Sequence, residues 1–262
     1  MDLCVSNKAL AQEVADFLVN VSDVNEESIT DYLVWRWKEI DKRFKAINIS
    51  TFTRQEESKI SGADFEMELW LVGKTKRYPL VFQAKKFIKP YASYVRKLRY
   101  PDNTKQQMNK LLSYAASNNK IPFYVFYSLP DTKTKTMCMR NNISNSGVFM
   151  GHAKIIEEFA DGKHGSRVSL NKLLENTNPF HCIFCCPLAH LGGYFEKYFP
   201  VSASTEQDQT TPGYVNYLLE THRLEINNER VKSLIEQYNL GVYRYVAVYD
   251  LRDVDETPNK AL

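Results

Sequence analysis

No stretch of this 262-residue sequence approaches the ~18 consecutive apolar residues that a membrane helix needs. The opening segment, MDLCVSNKALAQEVADF, lacks the basic region followed by an apolar run of a secretory signal. Cysteine is scarce: five in all, an odd number, with three crowded at Cys182, Cys185 and Cys186, which is not the framework of a disulfide-stapled secreted scaffold. Also missing are a Gly-rich phosphate loop, Gly-x-Ser-x-Gly and His-Glu-x-x-His, which leaves nucleotide hydrolysis, serine esterase and zinc protease chemistry without support. No internal repeat is present. The expectation is a soluble, cytoplasmic protein in a reducing compartment with no membrane partner. What is there, 44% hydrophobic and 25% charged residues, is globular composition, enough for one large domain or a domain with an accessory lobe.

The net charge of +3 hides an uneven distribution. Residues 74–105 carry Lys74, Lys76, Arg77, Lys85, Lys86, Lys89, Arg96, Lys97, Arg99 and Lys105 against Asp102 alone, a window of +9, while the remainder holds 24 basic and 30 acidic residues. Tyr78, Phe82, Phe87, Tyr91, Tyr94 and Tyr100 are interleaved with that charge. Localised basic charge with aromatics suits a surface that meets a polyanion. The competing interpretation is a solvated basic loop beside core aromatics.

Periodicity sets the element order. Leu10, Val14, Phe17, Leu18 and Val21 have helical spacing, so residues 1–24 form a helix packed on the core. Acids at Glu26 and Glu27 open a second helix with Ile29, Leu33, Trp37, Ile40 and Phe44 on its buried face. Residues 47–52 and 64–72 read as strands, Gly73 to Arg77 as a hairpin turn and Tyr78 to Phe87 as the antiparallel partner. A helix over 103–117 and a buried strand over 121–129 complete residues 25–130. Residues 131–262 form a C-terminal α/β extension, completing or accessory to the core. In it 134–140, 147–152 and 242–251 suggest strands, while 153–160, 169–175, 188–199, 214–222 and 229–238 suggest helices, and 203–213 is a polar linker.

The informative residues lie on the hairpin. Alternation puts Asp64, Glu66 and Glu68 on one face of the first strand and Gln83 and Lys85 on one face of the next. An amide and an ammonium in the apolar run Leu-Val-Phe-Gln-Ala-Lys-Lys-Phe must find partners or cost a few kcal/mol, and such violations mark working sites. Metal-assisted phosphodiester hydrolysis uses this set. Asp64, the Gln83 side-chain carbonyl and the Ala84 backbone carbonyl are oxygen ligands for a hard cation, and Lys85 holds the attacking water or stabilises charge on the phosphate. Gln83 brings no negative charge, so a further acid is needed: Glu66, Glu27 or Glu26. Against these stand structural interpretations: Asp64 as a turn residue, Glu27 as a dipole acid, Glu66 facing solvent, and Glu68 solvated. Gln106 and Gln107 open the next helix and either approach the site or are solvated.

The order and residues resemble the PD-(D/E)XK, restriction endonuclease-like nuclease superfamily, in its D-x(n)-QxK, Mrr-like subgroup. Glu-Glu-Ser-Ile-Thr-Asp, Ser-Gly-Ala-Asp-Phe-Glu and Phe-Gln-Ala-Lys-Lys are similar to a group of bacterial proteins with that core. The likeness covers residues 25–129 and implies an α/β fold with an α-β-β-β-α-β core, a mixed central sheet flanked by helices. It implies a Mg²⁺- or Mn²⁺-dependent endonuclease with Glu27, Asp64, Gln83 and Lys85 catalytic and Asp64, Gln83, Ala84 and Glu66 around the metal. Lys74, Lys76, Arg77, Lys86, Lys89, Arg96, Lys97 and Arg99 would meet the nucleic acid. The implied substrate is DNA and the implied setting is bacterial defence, with a homodimer or a defence partner protein. An RNase with the same site and a binding module that does not cut are the alternatives.

His181, Cys182, Cys185, Cys186 and His190 invite zinc because Cys-x2-Cys is usable spacing. There is no second Cys-x2-Cys, and Cys4, Cys138, His152 and His164 would have to join through the fold. The expectation is therefore buried thiols rather than structural Zn²⁺.

Overall fold

The computed structural model describes residues 2–21, 23–51, 65–88, 94–138, 145–186, 188–197, 211–221 and 229–253. Its strands are β1 (Ile47–Thr51), β2 (Phe65–Val72), β3 (Arg77–Phe87), β4 (Ile121–Ser128), β5 (Val148–His152), β6 (Asn178–Pro179) and β7 (Tyr243–Asp250). They hydrogen-bond as one mixed seven-stranded sheet in the order β1-β7-β2-β3-β4-β5-β6, flanked by helices. Two compact units interleave along the chain: residues 1–33, 83–118 and 122–186 make the first, and 34–82, 119–121 and 187–262 the second. The segment 203–210 of the expected linker lies outside the described residues.

In the first unit, α1 (Leu3–Asn20) starts where Asp2 Oδ1 accepts the Val5 N–H at 2.7 Å, satisfying one orphan donor of the first turn. Leu10, Ala11, Val14, Ala15 and Leu18 form its buried face. Phe17, expected on that face, is half-buried and stacks on Tyr32 at 5.3 Å, and Val21 is exposed. The Gly147 N–H donates to Ala11 O at 2.8 Å, and a Cβ there would sit 2.4 Å from Ala15 N, so only glycine permits this approach. Two more helices follow the expected spacing. In α4 (Gln106–Ser117), after the short α3 (Tyr94–Leu98), Met108, Leu111 and Ala115 are buried. In α5 (Ala153–Ala160), Ile156 and Phe159 are buried. The cap of α5 is His152, whose Nδ1 accepts the Lys154 N–H at 3.1 Å; burial lowers its pKa to about 3, which keeps the ring neutral and able to accept.

Residues 134–138 are not a strand. Thr134 alternates with lysines in a β-like pattern, but its hydroxyl donates to Asn171 Oδ1 at 2.5 Å, and Asp131 Oδ1 accepts the Lys133 N–H at 2.8 Å. Turn hydrogen bonding wins over strand propensity here. Asn171 belongs to α6 (Leu170–Leu174), and α7 (Cys182–Cys185) follows β6. A disulfide joins Cys4 of α1 to Cys185 of α7, across 181 residues of sequence. This corrects the expectation of unpaired thiols: the pairing arises from helix packing, which cysteine spacing does not encode.

Helix α2 (Glu26–Phe44) runs from the first unit into the second. Ile29, Leu33 and Trp37 are buried as the spacing predicts, while Ile40 and Phe44 are half-buried. In the second unit β2 and β3 are antiparallel, from Met67 opposite Phe82 to Val72 opposite Arg77, and the Gly73 N–H closes the turn on Lys76 O at 2.9 Å. The expected hairpin is therefore present. Strands β1 and β2, consecutive in sequence, are separated in the sheet by β7, which pairs antiparallel with β1 and parallel with β2. All eight residues of β2 are buried, so the strand needs a partner on each side, and the C-terminal extension supplies one of them. The remaining elements are α8 (Leu188–Glu196), α9 (Gly213–Thr221), α10 (Glu229–Gln237) and a 3₁₀ turn at Leu240–Val242 leading into β7. Among the described residues no helix is long and apolar enough to cross a membrane.

Candidate functional site

Strand β3 carries the predicted Gln-x-Lys pair at its end, in the first unit. Gln83 and Ala84 are buried at 6% and 3% exposure, and Lys85 is half-buried. Alternation places Val81, Gln83 and Lys85 on one face, and the register sets Glu68 of β2 opposite Val81. The Lys85 ammonium donates to Gln107 Oε1 at 2.6 Å and lies 5.3 Å from the centre of the exposed Tyr100 ring. Gln107 therefore approaches the motif from the first turn of α4. Gln106 is exposed.

The helix acid that reaches this strand is Glu26. Its Oε1 accepts the Lys86 N–H at 3.1 Å, while Glu27, the residue matched to the helix Glu by resemblance, is exposed. Glu26 leads because it turns toward the apolar side of α2. A carboxylate accepts at several lone-pair positions, so one backbone bond leaves it capacity to ligate a cation. Asp64, the first predicted metal ligand, lies outside the described residues, as does Lys89.

The two acids of β2 are not solvated. Glu66 is 7% exposed and its Oε2 is 3.3 Å from Arg244 Nη1 of β7. Glu68 is completely buried, ion-paired with Lys120. The Tyr214 hydroxyl of α9 lies 2.9 and 3.0 Å from its two oxygens, and Trp70 Nε1 donates to that hydroxyl at 3.2 Å. The Lys120 ammonium also lies 5.5 Å from the Trp70 ring centre and 5.7 Å from that of Tyr243. Solvation of Glu68 is thus overturned: the Lys120 charge and the Tyr214 hydroxyl, itself held by Trp70, offset its desolvation. Lys120, Tyr214 and Arg244 were invisible as partners in sequence, since each comes from an element distant in the chain and only the fold unites them.

The basic window divides into two populations. Lys74 and Lys76 are exposed on the β2–β3 turn, with Arg77 half-buried at the start of β3. Arg96 of α3 is exposed too. The others are built into the first unit: the Lys86 ammonium donates to Val24 O, Lys97 donates to Lys86 O at 3.1 Å, Arg99 Nε donates to Ala160 O at 2.5 Å, and Lys105 pairs with Asp161. The Asp161 carboxyl is held below the usual range chiefly by that lysine. Of the interleaved aromatics, Tyr78, Phe82, Phe87 and Tyr94 are core, Tyr100 is 56% exposed, and Tyr91 lies outside the described residues. Aromatic interleaving here mostly reflects packing, since strand and helix faces alternate with the charges.

The second metal candidate is the cysteine cluster. The Cys138, Cys182 and Cys186 sulfurs all lie within 4.8 Å of one another. Cys182 is buried and the other two are half-buried. Hydrogen bonding to Cys186 and then burial push the Cys182 thiol well above its ordinary pKa. His181 is buried with neither ring nitrogen hydrogen-bonded, and desolvation lowers its pKa to about 4. Of the residues that would have to join through the fold, Cys138 does so.

No curated protein and no solved structure matches the chain. The sequence profile of DUF6615, described as a family of unknown function, matches residues 3–249. That span is nearly all of the 262 residues, and the chain belongs to the DUF6615 family.

Proposed function

We propose that the chain is a divalent-metal-dependent nuclease, with DNA as the first substrate and the end of β3 as its centre. One observation carries the proposal: an amide, Gln83, and an amine, Lys85, interrupt an apolar strand on one face, and the Glu26 carboxylate binds the backbone of the very next residue, Lys86. The donors are oxygens, from Gln83, Glu26 and the Ala84 backbone, as a hard cation requires. A Mg²⁺ or Mn²⁺ ion held there supplies Lewis-acid polarisation of the scissile phosphate. Asp64 completes the set by resemblance. Gln107 holds the Lys85 ammonium at 2.6 Å, orienting it to position the attacking water and to counter charge developing on the phosphate oxygens. Exposed Lys74, Lys76 and Arg96 are the residues of the basic window best suited to phosphate contact. A restriction endonuclease-like core, a cytoplasmic place in bacterial defence, and a homodimer or defence partner protein belong to the same proposal through the resemblance.

A second proposal, a nuclease-fold module that binds without cutting, draws on the partners already held by two candidate site residues. Glu66 is paired with Arg244, and Lys85 is bonded to Gln107. The test separates the two. Full-length protein is incubated with single- and double-stranded DNA and RNA at matched salt, with Mg²⁺, Mn²⁺ or EDTA. The nuclease gives metal-dependent cleavage that falls at least ~100-fold in Lys85→Ala while binding holds. Binding with no cleavage of any substrate removes the enzyme and leaves the module; cleavage confined to RNA identifies an RNase.

A further inference from the structure

Three of the five cysteines, Cys138, Cys182 and Cys186, meet in the first unit although the first of them is more than forty residues from the others. Two features of the chain bring them together. Cys182 opens the single turn of α7 and Cys186 caps it, where the Cys186 N–H donates to Cys182 O at 2.9 Å, so the two ends of the turn are held together. Cys138 is delivered by a segment anchored just ahead of it: the Met137 N–H donates to Thr177 O at 2.9 Å, and the Thr136 hydroxyl donates to Cys138 O at 3.2 Å.

A disulfide uses two sulfurs, whereas here three lie within mutual reach, beside a Cys4–Cys185 bond that uses neither Cys182 nor Cys186. Thiolates around zinc sit at ~2.3 Å from the metal, which at tetrahedral angles separates the sulfurs by about 3.8 Å. With the three sulfurs already within 4.8 Å of one another, side-chain adjustment of about 1 Å brings them to that spacing. We propose that Cys138, Cys182 and Cys186 bind one thiophilic divalent ion, zinc foremost, with the fourth position taken by water or another small ligand. The chemistry of the set selects the ion: three sulfur ligands favour zinc over the oxygen-seeking Mg²⁺ of the nuclease proposal, on which this site does not depend. Exchanging the thiol protons for a cation resolves the crowding of charge that deprotonation alone would create among three neighbouring sulfurs. The ion would tie the segment ending at Cys138 to α7.

Cobalt titration of the full-length protein under anaerobic conditions tests this. The expected result is a near-ultraviolet thiolate-to-cobalt charge-transfer band that saturates at a single ion per chain and is displaced by zinc. Cys186→Ser, at a half-buried position, weakens binding at least ~10-fold. The Cys4→Ser/Cys185→Ser double variant keeps the band. On the unmodified chain, zinc must also slow alkylation of Cys138, Cys182 and Cys186 as mapped by mass spectrometry, a readout that needs no variant to fold. No band at millimolar cobalt, a band that persists in Cys186→Ser and vanishes in the double variant, or alkylation unchanged by zinc overturns the proposal.

Discussion

Strands β2 and β3 each carry polar groups that apolar packing does not ask for, and they treat them in opposite ways. Glu68 of β2 is completely sealed, with Lys120 and Tyr214 on its carboxylate and Trp70 on the Tyr214 hydroxyl. At the end of β3, Lys85 is half-buried with an amide acceptor in Gln107, and Glu26 spends one oxygen on a backbone N–H. A charge whose surroundings neutralise and exclude solvent from it acts as internal scaffolding. One left near solvent with ligand capacity to spare is suited to meeting a substrate or an ion. Burial of the charge, rather than its mere presence in a strand, separates the two roles.

The hardest blow to the β2 side is Lys120→Met. It strands a buried carboxylate and is expected to destabilise by about 3–5 kcal/mol in urea unfolding, with Glu68→Gln added in the same chain recovering much of the loss. A loss below about 1 kcal/mol would mean that Glu68 is not a charged scaffold at all.

Acid strikes the first unit instead. His152 and His181 have folded pKa values of about 3 and about 4 against an ordinary 6.5, so the unfolded chain takes up their protons first as pH falls. Their stabilisation is full above pH 6.5 and drains away down to about pH 4 to 3. At pH 5 each costs about 2 kcal/mol. Hydrogen exchange at pH 7 and pH 5, corrected for intrinsic rates, should show protection lost in residues 122–186 ahead of the amides of β2 and β7. Equal loss in both contradicts the assignment.

Tyr214→Phe sharpens the comparison more gently. Removing the hydroxyl leaves both Glu68 oxygens and Trp70 Nε1 short of a partner, for about 1–3 kcal/mol by thermal or chemical unfolding. Lys85→Ala should have the smallest effect on stability, within about 1 kcal/mol by the same measurement, because the side chain is only half-buried. A larger cost would move Lys85 into the same scaffolding class as Lys120.

Much of this was legible in the chain. The hairpin from Phe65 to Phe87 followed from alternation around a Gly-Lys-Thr-Lys turn, and α5 from a helical repeat behind His152. The Gln83 and Lys85 anomaly stood out because it broke a local pattern. Long-range pairing was not legible. Nothing local says that β7 enters between β1 and β2, that Lys120 rather than water meets Glu68, or that Cys4 meets Cys185. Each depends on segments brought together only after folding, and a lysine ahead of an apolar strand looks the same whether it is solvated or sealed.

Strand β1 has a cost in time as well as in space. Among the described residues Ile47 pairs with Tyr249, so a ribosome must make roughly two hundred further residues before that partner exists. Until then β1 is an unsatisfied sticky margin on a nascent chain, exposed to chaperones and to the same edge of neighbouring copies. A chain cut short between the two strands would leave β1 without the partner that β7 gives it.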